Sequence, residues 1–196
     1  QDMLFNALLS FTFMFLIAFM LINPSSQTGK IDPKAEILIT MKWPDNNPDD
    51  VDLYVEDPVG NIAWFHQREA GFMVLERDDR GGANDFIIVG GKKITTPLRE
   101  EIVSIRGHLP GEYTVNIQHY LATTRQPVSV SVKVEKINPT LQVLHYDTVT
   151  LNQTGQEKTA VRFKVANDGS ISDINTRQKS LIELTRSTKR GPNQNK

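Results

Sequence analysis

An almost unbroken apolar stretch runs from Met3 to Ile22 near the start of the chain. About 20 apolar residues are enough to cross the hydrocarbon core of a bilayer as a helix. Asn23 and Pro24 follow, and a proline cannot continue the hydrogen-bond ladder of a helix. The sequence therefore predicts a single transmembrane helix over residues 1–23.

A cleaved signal peptide is the alternative for this stretch. Signal peptides have a basic first region, a shorter apolar core and a cleavage site of small residues. This segment has none of the three before Pro24, so we expect a permanent membrane helix. The sequence opens on Gln1 and not on Met, which leads us to expect either processing or a start inside a longer product.

The composition of the chain narrows its functional class. Of 196 residues, 39% are hydrophobic, and the mean hydropathy is −0.34. The 22 basic and 23 acidic residues give a net charge of −1, whereas nucleic-acid binders usually have a strong basic bias. Cysteine is absent, which excludes disulfides and cysteine-ligated zinc. We therefore expect a soluble domain outside the membrane helix and no nucleic-acid partner.

From Ala35 onward the hydrophobic pattern has a period of two. In residues 128–134, for example, every second residue is a valine. Turn residues such as Gly90-Gly91 and Asn138-Pro139 separate the apolar runs. Many short alternating strands with glycine or proline turns predict a mainly β fold, an antiparallel β-sandwich. We place this domain at residues 35–166, after a polar linker at 24–34.

The alternation weakens at the end of the chain. We predict that residues 167–196 form a C-terminal segment, with a short helix around Arg177–Leu184. The last residues are polar and basic, which is typical of a disordered tail.

Polar residues form a stripe along the predicted membrane helix. Asp2, Asn6 and Ser10 are four residues apart, so they share one helical face. A carboxylate in such a helix is costly unless it is paired or handles ions, and a carboxylate can carry a proton between two aqueous faces. The alternative is structural, with Asp2 as the N-cap and the other two in interhelical hydrogen bonds.

The helix resembles a known class of membrane subunits. The pattern Asp2-Met3-Leu4-x-Asn6-x-Leu8-Leu9, followed by alternating phenylalanines up to Phe19, is similar to the transmembrane helix of the MotB/ExbD/TolR/ZorB family. These are the B-type subunits of ion-driven rotary motors. The resemblance covers about 24 residues.

This resemblance implies a function and a location. Asp2 matches the aspartate that carries the proton or sodium ion in the family, while Asn6 and Ser10 match no residue of known role. Two copies of the chain would lie inside a pentameric ring of multi-helix A-type subunits in a bacterial inner membrane. The sandwich would then lie in the periplasm or another extracytoplasmic space and contact an envelope or surface partner. That partner is not implied, because the soluble domain lacks the patterns of the family's usual output domains.

Two acidic segments stand out in the soluble domain. The run Asp50-Val51-Asp52-Leu53-Tyr54-Val55-Glu56-Asp57-Pro58-Val59-Gly60 resembles the start of YfaP-type β-sandwich domains (DUF2135), and residues 77–85 resemble their later acidic turn. Oxygen-rich loops can bind Ca²⁺. The alternative is that these residues form turns, end strands or pair with arginines. The candidate ligands are Asp50, Asp52, Asp57, Asp78, Asp79 and Asp85.

Motifs of catalysis and of other metals are missing from the sequence. There is no phosphate-binding loop, dinucleotide fingerprint or nucleophile elbow. The four histidines, His66, His108, His119 and His145, are scattered. We therefore expect no enzyme and no resident cofactor. The alternative to the motor subunit is a membrane-anchored β-sandwich binding module without ion transport.

Overall fold

The computed structural model describes residues 2–22, 35–82 and 85–189. These residues belong to two compact units, Gln1–Pro33 and Lys34–Lys196. The predicted linker and the last seven residues of the predicted tail lie outside the described residues.

The first unit contains an apolar helix, α1 (Asp2–Ile22). Its 21 residues span about 30 Å, which matches the hydrocarbon thickness of a bilayer. The window Asp2–Phe19 has a mean hydropathy of 1.8. The helix is therefore long and apolar enough to span a membrane.

The second unit is built from antiparallel strands, and a short helix follows the last of them. The strands are β1 (Ile37–Lys42), β2 (Asp50–Glu56), β3 (Ile62–Ala63), β4 (Glu69–Ala70), β5 (Met73–Arg77), β6 (Phe86–Val89), β7 (Lys92–Thr95), β8 (Glu100–Ile105), β9 (Gly111–Leu121), β10 (Val128–Lys136), β11 (Gln142–Leu151), β12 (Glu157–Val165) and β13 (Ile171–Asn175). The helix is α2 (Ile182–Lys189).

Two sheets form the body of this unit. One has the order β11-β10-β1-β8-β5-β4 and the other β13-β12-β9-β2-β3. β6 and β7 form a separate hairpin, in which Gly90 and Gly91 both have positive φ (56° and 79°), as a two-residue type I′ turn requires. The predicted mainly β fold with an N-terminal apolar helix is confirmed.

The core lies between the two sheets. Alternate residues of each strand point inward because successive side chains of a strand face opposite sides. On β1 these are Ile37, Ile39 and Met41, and on β2 they are Val51 and Leu53, none of them more than 5% exposed. Full burial of such a side chain contributes about 1.5–3 kcal/mol, so this layer is the main stabilising element.

The C-terminal segment packs on the sandwich. β13 pairs with β12, so the second sheet continues past residue 166, where we placed the end of the domain. The helix begins at Ile182 and not near Arg177. The N–H groups at the start of a helix have no partner within the helix. Here the carboxylate of Glu157 accepts the N–H groups of Leu181 and Ile182 at 2.7 and 3.2 Å and so stabilises the start of α2.

Candidate functional site

The polar stripe of α1 has a defined hydrogen-bond pattern. Ser10 Oγ donates to the carbonyl oxygen of Asn6 at 2.9 Å, so the hydroxyl proton is used within the helix. Among the described residues, nothing hydrogen-bonds the side chains of Asp2 or Asn6, and no first-turn N–H donates to the Asp2 carboxylate. The Asp2 carboxylate lies in the first turn, at the positive end of the helix dipole, and both Asp2 and Asn6 are exposed.

The acidic residues of the soluble domain converge at one place. Asp52 on β2, Asp78 after β5 and Glu101 on β8 each place a carboxylate oxygen within 4.8 Å of the others. β2 belongs to one sheet, and β5 and β8 belong to the other. We call this group the inter-sheet carboxylate cluster, and Asp50 adjoins it on β2.

Most of the cluster is shielded from water. Asp52 is 4% exposed and Glu101 is 1% exposed. Asp52 Oδ2 and Asp50 Oδ1 are buried and accept no hydrogen bond from the described residues. A buried polar atom without a partner is costly, and a proton, a cation or a water molecule at these oxygens would offset that cost.

Burial and mutual repulsion disfavour the ionised forms of these carboxylates. Burial, followed by the nearby Asp50 and Asp78, raises the pKa of Asp52 to about 8. Burial and Asp78 raise the pKa of Asp50 to about 6, against an opposing effect of Arg80. Burial, followed by the charge of Asp52, also raises the pKa of Glu101 well above its ordinary value. At neutral pH a bound cation would compete with protons for these oxygens.

Glu101 was not among the acidic residues that we selected from the sequence. It lies on the same buried face of β8 as Val103 and Ile105. Both of its oxygens accept backbone N–H groups. Glu101 Oε2 accepts from Leu53 at 2.8 Å, and Oε1 accepts from Asp79 at 3.4 Å. The available signal was an acid at an apolar position of an alternating strand, Glu101-x-Val103-x-Ile105.

The other candidate ligands have different partners. Asp57 accepts the N–H groups of Val59 and Asn61 at 3.0 and 2.8 Å, which is the turn role. Asp79 pairs with Arg77 at 3.1 Å, and Asp85 pairs with Arg99 at 2.5 Å. The structure thus brings together Asp50, Asp52 and Asp78 of the six predicted acids, and adds Glu101.

One histidine belongs to a buried polar network beside this region. His119 Nε2 lies 3.1 Å from Asp49 Oδ2, and both side chains are fully buried. Thr124 donates its N–H and its hydroxyl to the same carboxylate, each at 2.7 Å. With these partners the Asp49 carboxylate is satisfied, so we assign the network to stability and not to ligand binding.

Comparisons with known proteins identify no relative. No protein-family model, curated protein or solved structure matches the chain. The functional assignment therefore depends on the chemistry of the polar helix face and the resemblance of that helix.

Proposed function

We propose that this chain is a B-type subunit of a rotary motor driven by the proton or sodium motive force. The observation that carries the proposal is the acidic residue Asp2 in the first turn of a helix long enough to span a membrane. Asp2 carries the ion, and Asn6 lies one turn further along the same face. The sequence resemblance of this helix to the motor subunits supports the same role.

The chemistry of the helix surface favours a partner in the membrane. The side chains described on α1 are all exposed, so lipid or another subunit must cover them. Lipid suits the phenylalanines and leucines, but it offers nothing to a carboxylate or a carboxamide. A ring of multi-helix A-type subunits around two copies of the chain would supply water and polar groups to Asp2 and Asn6. Alternate loading of the two Asp2 residues would couple ion flow to rotation.

The β-sandwich then has a mechanical role. It makes up most of the chain, and it would lie in the periplasm or another extracytoplasmic space. One hydrophobic core joins its two sheets, so the domain would act as a single body between the membrane helix and an envelope or surface partner.

A test begins with the complex in its native membrane. The full-length protein carries a C-terminal tag, is extracted in mild detergent, and its co-purifying proteins and their ratio are measured by mass spectrometry. We expect two copies of the chain with a ring of a multi-helix membrane protein. A chain that purifies alone, or as a homodimer without such a partner, would instead support a membrane-anchored binding module without ion transport.

Ion carriage is tested on the purified complex in liposomes. Asp2→Asn should abolish ion flux without changing the subunit ratio, because the amide cannot exchange a proton or balance a sodium ion. Ser10→Ala is the matched control, since the Ser10 hydroxyl already bonds its own helix. Unchanged flux in Asp2→Asn would contradict the proposal. Comparing proton and sodium gradients identifies the ion.

A further inference from the structure

The oxygens of the inter-sheet carboxylate cluster have the spacing of a calcium shell. Ca²⁺ binds oxygen at about 2.3–2.6 Å, so two oxygens on opposite sides of it are about 4.6–5.2 Å apart. One carboxylate oxygen from each of Asp52, Asp78 and Glu101 lies within 4.8 Å of the other two. A single ion can therefore contact all three carboxylates.

A second observation points to a ligand. Asp52 is 96% buried, yet its Oδ2 has no hydrogen-bond partner among the described residues. The side chain also belongs to the group of converging oxygens. Buried carboxylates in proteins are normally paired, hydrogen-bonded or bound to a metal, and this atom has neither of the first two.

Nearby positive charge does not neutralise the cluster. Arg68 Nη1 lies 3.9 Å from Asp78 Oδ2, and its side chain is half exposed. The positive charge of Arg80, which follows β5 in the chain, favours the ionised form of Asp50. Among the described residues, no lysine or arginine forms an ion pair with Asp52 or Glu101. Three carboxylates with at most one weak ion pair have negative charge that is not balanced, and a divalent cation could balance it.

We propose that Asp52, Asp78 and Glu101 form a calcium site that clamps the two sheets together, with the charge of Asp50 close by. The site lies in the soluble domain and is independent of ion carriage by Asp2. Failure of either proposal would therefore leave the other standing.

The types of ligand atom indicate which metal ion would bind. All the ligands are carboxylate oxygens, the type preferred by calcium and magnesium, and neither sulfur nor imidazole belongs to the group. Magnesium needs oxygens at about 2.0–2.1 Å in near-ideal octahedral geometry, whereas calcium accepts longer and less regular contacts. Three carboxylates drawn from separate elements suit the tolerant calcium shell better than the octahedral magnesium shell.

The site lies beside a part of β2 that pairs with a strand on one side only among the described residues. β3 pairs with β2 only through Val55 and Glu56, so the first half of β2 has no strand neighbour on that side. At that edge Glu101 reaches from the other sheet to the N–H of Leu53. A calcium ion between Asp52 and the two acids of the opposite sheet would fasten the unpaired part of β2 in place.

The probe is calcium alone, with magnesium as the comparison. The full-length protein in detergent is freed of metal with a chelator, and Ca²⁺ is then titrated by calorimetry to about 1 mM, the weak end for extracellular sites. Thermal unfolding is followed through the fluorescence of the tryptophans, of which Trp43 is buried in the core. We expect about one ion per chain and a rise in Tm with calcium that exceeds the rise with magnesium.

Three variants test the ligands, and a fourth is the matched control. Asp52→Asn, Asp78→Asn and Glu101→Gln each keep the side-chain shape and remove a charge, so each should weaken calcium binding at least about tenfold. Asp147→Asn removes an exposed carboxylate on β11, three strand positions from β8, and should bind like the wild type. If Asp52→Asn fails to fold, Asp78, whose side chain is 12% exposed and therefore less buried than Asp52, supplies the decisive variant.

The binding results of the four variants distinguish a calcium site from its absence. Loss of binding in the three cluster variants with retention in Asp147→Asn supports the site. The proposal is overturned if the wild type binds no calcium, if the ligand variants bind it as well as the wild type, or if magnesium stabilises the protein equally.

Discussion

Glu101 on β8 and Leu53 on β2 are joined by a hydrogen bond between the two sheets. The N–H of Leu53 donates to Glu101 Oε2 at 2.8 Å, and the carboxylate is 1% exposed. A buried N–H at this edge of β2 has no neighbouring strand to bond, because β3 pairs only further along. The glutamate therefore has a structural task in addition to any ligand that it binds.

Substitutions of Glu101 can separate these two tasks in the metal-free protein. Glu101→Gln retains an oxygen that can accept from Leu53, whereas Glu101→Ala leaves that buried N–H unpaired. We expect the alanine variant to be less stable than the glutamine variant by about 1–3 kcal/mol, the cost of an unsatisfied buried donor. Urea unfolding with a chelator present measures the difference. Equal stabilities would show that the hydrogen bond contributes nothing.

The metal-free protein should lose stability as the pH rises through the neutral range. The folded-state pKa is raised to about 6 for Asp50 and about 8 for Asp52, above the ordinary value of 3.8. Between pH 3.8 and the raised pKa of each group, the folded protein keeps a proton on the carboxylate that the unfolded protein has released. Their stabilising contribution is complete below about pH 4 and disappears as the pH rises through about 8.

This pH dependence can be measured by urea unfolding with a chelator at several pH values. Asp52→Asn should flatten the decline because its amide does not titrate, and Asp147→Asn should keep the wild-type slope. A wild-type free energy of unfolding that rises from pH 5 to 8 would contradict the expectation. Arg68 and Arg80 are the basic residues that interact with carboxylates of this region, Arg68 with Asp78 and Arg80 with Asp50.

Much of the fold could be predicted from local patterns. β10 (Val128–Lys136) has strict alternation, and Gly90-Gly91 marks the hairpin turn. β5 (Met73–Arg77) has only two buried positions and β13 (Ile171–Asn175) is mostly polar, so neither strand has a clear alternating pattern in the sequence. The order of strands in the sheets was beyond sequence reasoning, because it depends on pairing between distant segments such as β1 with β10.

The candidate site could be predicted only in part, for a similar reason. Residue type and turn context selected Asp50, Asp52 and Asp78. Their approach to Glu101 depends on the packing of β2 against β8, whose bonded residues are 48 positions apart. Asp57 has the same residue type but bonds within its own turn. Composition identifies acids, and only tertiary packing decides which of them meet.

Gly81 should be essential for the turn that carries Asp78 and Asp79. Its φ is +63°, and an added Cβ would lie 2.6 Å from the carbonyl oxygens of Pro48 and Asp49. Gly81→Ala must therefore shift the backbone, and we expect a loss of several kcal/mol. Gly90→Ala is the matched control, since its φ is +56° but nothing lies within 4 Å of the added carbon.

The control separates steric clash from conformational strain. The left-handed conformation alone costs a non-glycine residue about 1–2 kcal/mol, so Gly90→Ala should lose no more than that. Thermal unfolding of both variants gives the comparison. A similar small loss in both would mean that the residues around Pro48 can move away without cost.

The Asp49 network should be among the most sensitive polar sites of the soluble domain. Asp49→Ala removes the acceptor of Thr124 and the partner of His119; His119 is fully buried, whereas Thr124 is exposed. Water can replace the carboxylate at Thr124 but not at His119, and a buried group left unsatisfied costs about 1–3 kcal/mol, so we expect a loss at the upper end of that range. Thr124→Val removes only the hydroxyl donor and should cost about 1 kcal/mol, because the Thr124 N–H still reaches the carboxylate. Urea unfolding of both single variants and the double variant gives their coupling. Equal losses for the two single variants would place the stabilisation in the Thr124 hydroxyl and not in the carboxylate that joins the network.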